Sequence, residues 1–91
     1  MMNTISEEKL LKYFSISREA HEMAKDNVAD KEKGEDFLDM IDRYIRDAQH
    51  FYEKNDFVNA FAALNYAHGW LDAGARSGIF DVHDSRLFTV D

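Results

Sequence analysis

The chain of 91 residues has no cysteine and no proline. Without cysteine there can be no disulfide framework and no thiolate cage for a metal. Without proline the chain lacks its strongest helix breaker, which suits a mostly helical protein. Basic residues are scarce: 11 Lys and Arg stand against 18 Asp and Glu, a net charge of −7. Proteins that grip phosphates present a net basic face, so no nucleic-acid partner is expected. No apolar run reaches the ~18 residues of a membrane-crossing helix, so no membrane partner is expected either. The first residues show no basic stretch leading into an apolar one, so a secretory signal is not expected and the cytoplasm is the expected location. No Gly-rich phosphate loop, Ser-His-Asp arrangement or nucleotide fingerprint is present.

What is present is a hydrophobic content of 45%, including seven Phe, four Tyr and one Trp. That is enough for a globular core and too much for a disordered chain. The apolar residues recur at helical spacing in three blocks. In the first, Thr4 and Glu7 have capping-box spacing. Leu10, Tyr13, Phe14, Ser17, Ala20, His21, Ala24 and Val28 follow on one stripe, predicting a helix over 4–30. The segment Asp30 to Glu35 is charged, lacks apolar residues and contains Gly34, and reads as a connection. The second block predicts a helix over 36–54, with Phe37, Ile41, Tyr44, Ile45, Ala48, Phe51 and Tyr52 on a dense face. Asp39 with Arg43, and Asp42 with Arg46, have i,i+4 spacing on its solvated side. Asn55-Asp56 then ends one helix and caps the next, so the second and third helices should lie antiparallel.

The third block predicts a helix over 57–77, with Gly78 as its C-terminal stop. One face carries Phe57, Ala60, Phe61, Leu64, Ala67, Leu71 and Ala75. A nearly opposite face carries Val58, Ala62, Tyr66, Gly69 and Ala73. A helix buried on one side only does not need that second face. Either this helix is wedged between both neighbours, or the stripe Ala62, Gly69, Ala73 packs against a second copy of the protein. Trp70 lies between the two faces and suits a core or interface anchor. The tail, 79–91, is rich in apolar residues (Ile79, Phe80, Val82, Leu87, Phe88, Val90) and should dock, either over its own bundle or on a partner.

Candidate chemistry is sparse. His68 and Asp72 are i,i+4 neighbours, and Asn65 and Arg76 extend them into a polar ladder along the third helix. A His beside a carboxylate suits a general base or half a metal site. The plainer reading is a structural ladder, because no nucleophile, acid or metal ligand stands at local spacing. Asp47 with His50, and Asp81, His83 and Asp84 in the tail, do not supply the three or four ligands of a zinc site, and the Glu-x-x-His pattern of di-iron bundles is absent. No metal or other cofactor is expected. His21, inside the first apolar stripe, reads as a boundary residue that finds a polar partner. The Arg43 and His50 spacing is similar to that of some helical ribonuclease domains, but Asp39 and Asp47 beside them would repel RNA.

The stretch from Asp47 to Gly74, with its tract His68-Gly69-Trp70-Leu71-Asp72-Ala73-Gly74, resembles the hallmark segment of a small archaeal family catalogued as domain of unknown function 357. The closing Leu87-Phe88-Thr89-Val90 is similar to how its members end. Asn55 stands where the family's Gly would be expected, and Asn serves the same left-handed turn. The resemblance implies an up-and-down three-helix bundle and no particular activity. It also implies that any common role sits in the tract from His68 to Gly74. A weaker likeness to a tetratricopeptide-repeat hairpin (Ala48, Phe51, Phe57, Ala60, Leu64, Ala67) reflects convergent packing, since a solenoid needs about three repeats and one hairpin fits here.

The expected protein is thus all-α: one domain over 1–91, an antiparallel up-and-down three-helix bundle with an ordered C-terminal tail. The expected role is that of a non-enzymatic interaction module, self-associating through Ala62, Tyr66, Gly69, Trp70 and Ala73 or binding another protein. The alternative is a small-molecule or metal site at Asn65, His68, Asp72 and Arg76.

Overall fold

The computed structural model describes residues 4–90. Its three helices are α1 (Glu7–Lys25), α2 (Lys31–Glu53) and α3 (Phe57–Arg76). The fold is an all-α three-helix bundle, elongated to 41 × 24 × 20 Å. α3 packs most extensively on α2, then on α1, while α1 and α2 touch least. Asp91, the last residue of the expected tail, lies outside the described residues.

The ends of the first connection differ from the sequence expectation. Ser6, not Thr4, caps α1, its hydroxyl accepting from the Lys9 amide at 3.1 Å. The helix stops at Lys25 instead of running to residue 30, because Val28 is drawn out into an antiparallel bridge with Phe80. The charged segment that reads as a connection in the sequence is largely the first turn of α2. Asp30 caps it, its carboxylate accepting from the Lys33 amide at 3.1 Å. Gly34 is buried inside that turn, where Val28 lies against its backbone.

The other two helix ends follow the sequence. Asn55 has φ 60°, the left-handed conformation expected of it. The Asp56 amide reaches back to the Phe51 carbonyl at 2.9 Å and the Asn55 amide to Tyr52 at 3.0 Å. Asp56 at once caps α3, accepting from the Asn59 amide at 3.2 Å. One residue therefore closes α2 and opens α3, which folds the two helices antiparallel. Gly78 (φ 76°) repeats the closure at the end of α3, with the Ile79 amide on the Gly74 carbonyl at 2.9 Å. This paired 6→1 and 5→2 hydrogen bonding turns the chain back sharply.

The turn at Gly78 sends the tail over its own bundle. Ile79, Phe80, Val82, Leu87 and Phe88 are all buried, in one cluster with Ala20 and Ala24 of α1, Ile41 and Ile45 of α2, and Ala67 and Leu71 of α3. A second cluster, built on Leu10, Phe14, Ala48, Ala60, Ala63 and Leu64, fills the opposite end near the α2–α3 turn. The buried side of α3 is mostly alanine and glycine, with Ala60, Ala63, Ala67 and Gly74 all enclosed. At Gly74 the Phe80 ring lies where a Cβ would be.

Two glycine substitutions on one helix should therefore act with opposite sign. Gly74→Ala forces the Phe80 ring off its seat and is expected to destabilise the chain by ~1–3 kcal/mol. At Gly69 a Cβ meets no atom within 4 Å. Gly69→Ala is expected to stabilise the isolated chain by ~0.5–1 kcal/mol. Denaturant midpoints in dilute solution check both.

Candidate functional site

α3 carries both candidate constellations, and the structure places them on different flanks. The polar ladder faces the tail. His68 Nε2 lies 2.6 Å from the Leu87 carbonyl oxygen. The Asp72 carboxylate accepts from the Thr89 amide at 2.7 Å and from the Thr89 hydroxyl at 3.1 Å. Arg76 reaches the Thr89 carbonyl at 3.5 Å. The expected contact within the helix, His68 to Asp72, is only 3.9 Å at its closest, and each side chain is 25% exposed. The ladder is thus a strip that satisfies the tail's backbone where it leaves regular structure. Leu87 acts through its carbonyl and Thr89 through its amide, carbonyl and hydroxyl; the main-chain groups, which every residue has, carry no pairing signal in the sequence. Asn65 stands apart from this strip, exposed at the surface.

Arg86 adds a second tie. Its guanidinium grips Glu19 of α1 through two hydrogen bonds, 3.1 and 2.6 Å, and touches Asp84 at 3.3 Å. The hydrogen bond from Arg86, helped by its charge, holds the Glu19 carboxyl below its usual range. The same partnership raises the guanidinium further. Between α1, α3 and Arg86 lies a cleft of about 420 Å³, walled by Tyr13, Ile16, Ser17, Asn65, His68 and Asp72. Ser17 is 2% exposed, and among the described residues no buried side-chain nitrogen or oxygen is left without a hydrogen-bond partner.

The adjoining flank of α3, which shares Asn65 and Gly69 with the cleft, is different. Ala62, Tyr66, Gly69 and Ala73 are exposed, as is Val58. Tyr66 is 64% and Val58 51% exposed, both large for apolar side chains. The reading that wedged this face between the two other helices does not hold. α2 and α1 both approach α3 from its alanine side, and none of the described residues covers the far side. No Asp, Glu, Lys or Arg stands between Phe57 and Leu71, in a chain that is 32% charged. Trp70 is half-buried at the border, edge-on to Phe37 with ring centres 4.9 Å apart. Phe37, Tyr66, Gly69, Trp70 and Ala73 line a shallow groove of about 360 Å³. Tyr44 stacks on Tyr66 at 5.4 Å, extending the face onto α2.

The remaining candidates are dispersed. Arg43 and Arg46 pair with Asp39 and Asp42 at 3.1 and 3.0 Å, the expected solvated pairs. His83 pairs with Asp81 at 2.8 Å on the open surface. Among the described residues no three His, Asp or Glu side chains converge as a metal site would require. No helix among them is long and apolar enough to cross a membrane. His21 sits half-buried at the core boundary, as expected, but shows no hydrogen bond among the described residues.

The architecture defines a small helical bundle whose tail is tied to α3 and whose most apolar surface is a helix face. The chain matches the family model described as Protein of unknown function (DUF357) over residues 12–80, and it belongs to that family. The matched region contains all of α2 and α3 and ends at Phe80, where the tail begins its return. No curated protein and no solved structure matched the chain.

Two outcomes follow from this geometry. Asp72→Ala removes the acceptor of two Thr89 hydrogen bonds. It is expected to cost ~1–3 kcal/mol of stability and to expose the Thr89 amide to rapid hydrogen exchange. His21 has its pKa lowered, first by burial and then by Lys25. The unfolded chain thus binds a proton at His21 more readily than the folded one. His21's contribution to stability should fall as pH drops below its unfolded value of about 6.5. His21→Gln should flatten that part of the profile in urea titrations at successive pH values.

Proposed function

We propose that the protein is a non-enzymatic interaction module that associates with a second copy of itself through the outer face of α3. The observation that supports this reading is the face itself: Val58, Ala62, Tyr66, Gly69 and Ala73 are exposed, uncharged and contiguous. Gly69 sharpens it. A glycine inside a helix costs ~1 kcal/mol relative to alanine. Gly34 and Gly74 have an internal reason, since Val28 and Phe80 fill the space of their missing side chains. Gly69 has no such neighbour among the described residues. A backbone arriving from outside supplies the missing reason, because close approach is what glycine permits.

The small size of the chain favours the same reading. A domain of this length buries a limited fraction of its surface alone, so covering an apolar face adds stability that the monomer lacks. The scarcity of basic groups favours a protein partner over nucleic acid, and a cytoplasmic setting suits a chain without cysteine. Light scattering on the eluting protein at high micromolar concentration is expected to give a dimer. Ala73→Glu or Gly69→Glu places a carboxylate in the covered face and is expected to weaken association by about tenfold or more, roughly 1.4 kcal/mol per decade. A monomer at that concentration for the unsubstituted chain contradicts self-association.

A second reading rests on the cleft beside the ladder, where the Ser17 hydroxyl is enclosed and His68 and Asp72 form part of the wall. A small polar molecule seated there would raise the melting temperature by mass action. Thermal shifts with divalent metals and common nucleotides separate the two readings: an interaction module stays flat, and a binding protein does not.

A further inference from the structure

The exposed face of α3 has an internal symmetry. From Val58 the outward residues advance by four to Ala62 and by three to Asn65; from Tyr66 they advance by three to Gly69 and by four to Ala73. The pattern reads the same from either end, about a point between Asn65 and Tyr66. Asn65 and Tyr66 straddle the line that Val58, Ala62, Gly69 and Ala73 define, and all six are exposed. A two-fold axis through that midpoint, perpendicular to α3, brings the face onto itself with the helices antiparallel.

Resting on the self-association proposed above, we infer that two copies pair α3 against α3 in antiparallel register, with the axis passing between Asn65 and Tyr66. Ala62 of one copy then faces Gly69 of the other, and Val58 faces Ala73. Away from the axis each contact sets a larger residue against a smaller one, Ala62 against Gly69 and Val58 against Ala73, while Tyr66 stands to one side of the line, so the helix axes can approach within the ~8–10 Å range of packed helices. This is where Gly69 is needed: a partner's Ala62 methyl group takes the space left open over it. Two-fold interfaces are self-complementary in this way, residue i meeting j as j meets i.

Charge selects the same direction. Arg76 stands at the C-terminal end of the face and Asp56 at the N-terminal cap of the helix. Parallel pairing would set Arg76 against Arg76 and Asp56 against Asp56. Antiparallel pairing carries each Arg76 to the other copy's Asn55-Asp56 turn, placing opposite charges at both ends of an otherwise uncharged seam. The seam runs ~22 Å from Val58 to Ala73 at the rise of an α-helix. Tyr44, stacked on Tyr66, widens it on the α2 side.

The native chain has no cysteine, so single cysteines report the register without background. A disulfide needs Cα atoms within about 4.4–6.8 Å. Asn65→Cys lies next to the axis and is expected to cross-link to itself under mild oxidation. Val58→Cys should not, because its two copies sit ~22 Å apart along the seam. Ala62→Cys and Gly69→Cys should each stay uncross-linked alone, their copies being ~10 Å apart. Mixed together, those two should cross-link to each other. All four positions are exposed, and a circular dichroism spectrum matching the parent shows that each variant is folded. If light scattering finds the parent protein dimeric but Val58→Cys cross-links to itself, or the mixed pair does not cross-link, the antiparallel register is wrong while self-association stands. If the parent is monomeric at high micromolar concentration, self-association and the register both fall.

Discussion

Everything in this molecule leans on the smallness of one side of α3. Ala60, Ala63, Ala67 and Gly74 are enclosed there, with Leu64 and Leu71 between them. A surface made largely of methyl groups and bare backbone lets α1, α2 and the returning tail come close to a single helix. The neighbours supply the bulk. Phe14, Ile41, Phe80 and Phe88 reach in from outside, and packing to the density of a protein interior follows. The bundle is therefore arranged around α3, and α1 and α2 meet each other least.

The tail is part of that core. Five of its side chains are buried, and it joins the cluster that binds the lower halves of the helices. Its backbone leaves regular structure in a half-buried place, where unpaired carbonyls and amides are unfavourable. His68, Asp72 and Arg76 meet that need one after another along the helix. A row that resembles chemistry in the sequence is thus largely occupied in holding the chain's own end. The family match stops at Phe80, yet the ladder's His68 and Asp72 lie inside it and their tail partners outside.

Much of the fold was legible in the sequence, and the failures share a cause. Helical periodicity located all three helices, and local turn chemistry located the stops at Asn55 and Gly78. Those signals are carried by residues close together in the chain. The first connection was misplaced because its outcome depends on Val28 meeting Phe80, a contact that no local pattern announces. A charged run likewise reads as a loop, although charged residues are at home in the solvated first turn of a helix capped by Asp30. The ladder's residues were visible, but their partners are mostly main-chain atoms of Leu87 and Thr89, the Thr89 hydroxyl being the one side-chain group. The second apolar face of α3 was legible as a face. Sequence alone does not decide what covers it, and none of the described residues does.

The outer face of α3 is as free of charge as the inner one, and its glycine meets no neighbour among the described residues. Sedimentation equilibrium of the unsubstituted protein over a wide concentration range tests this most directly. The apparent mass is expected to rise from the 10.6 kDa of one chain to twice that value as concentration increases. A mass that stays at one chain up to high micromolar concentration would contradict the pairing of α3 with itself.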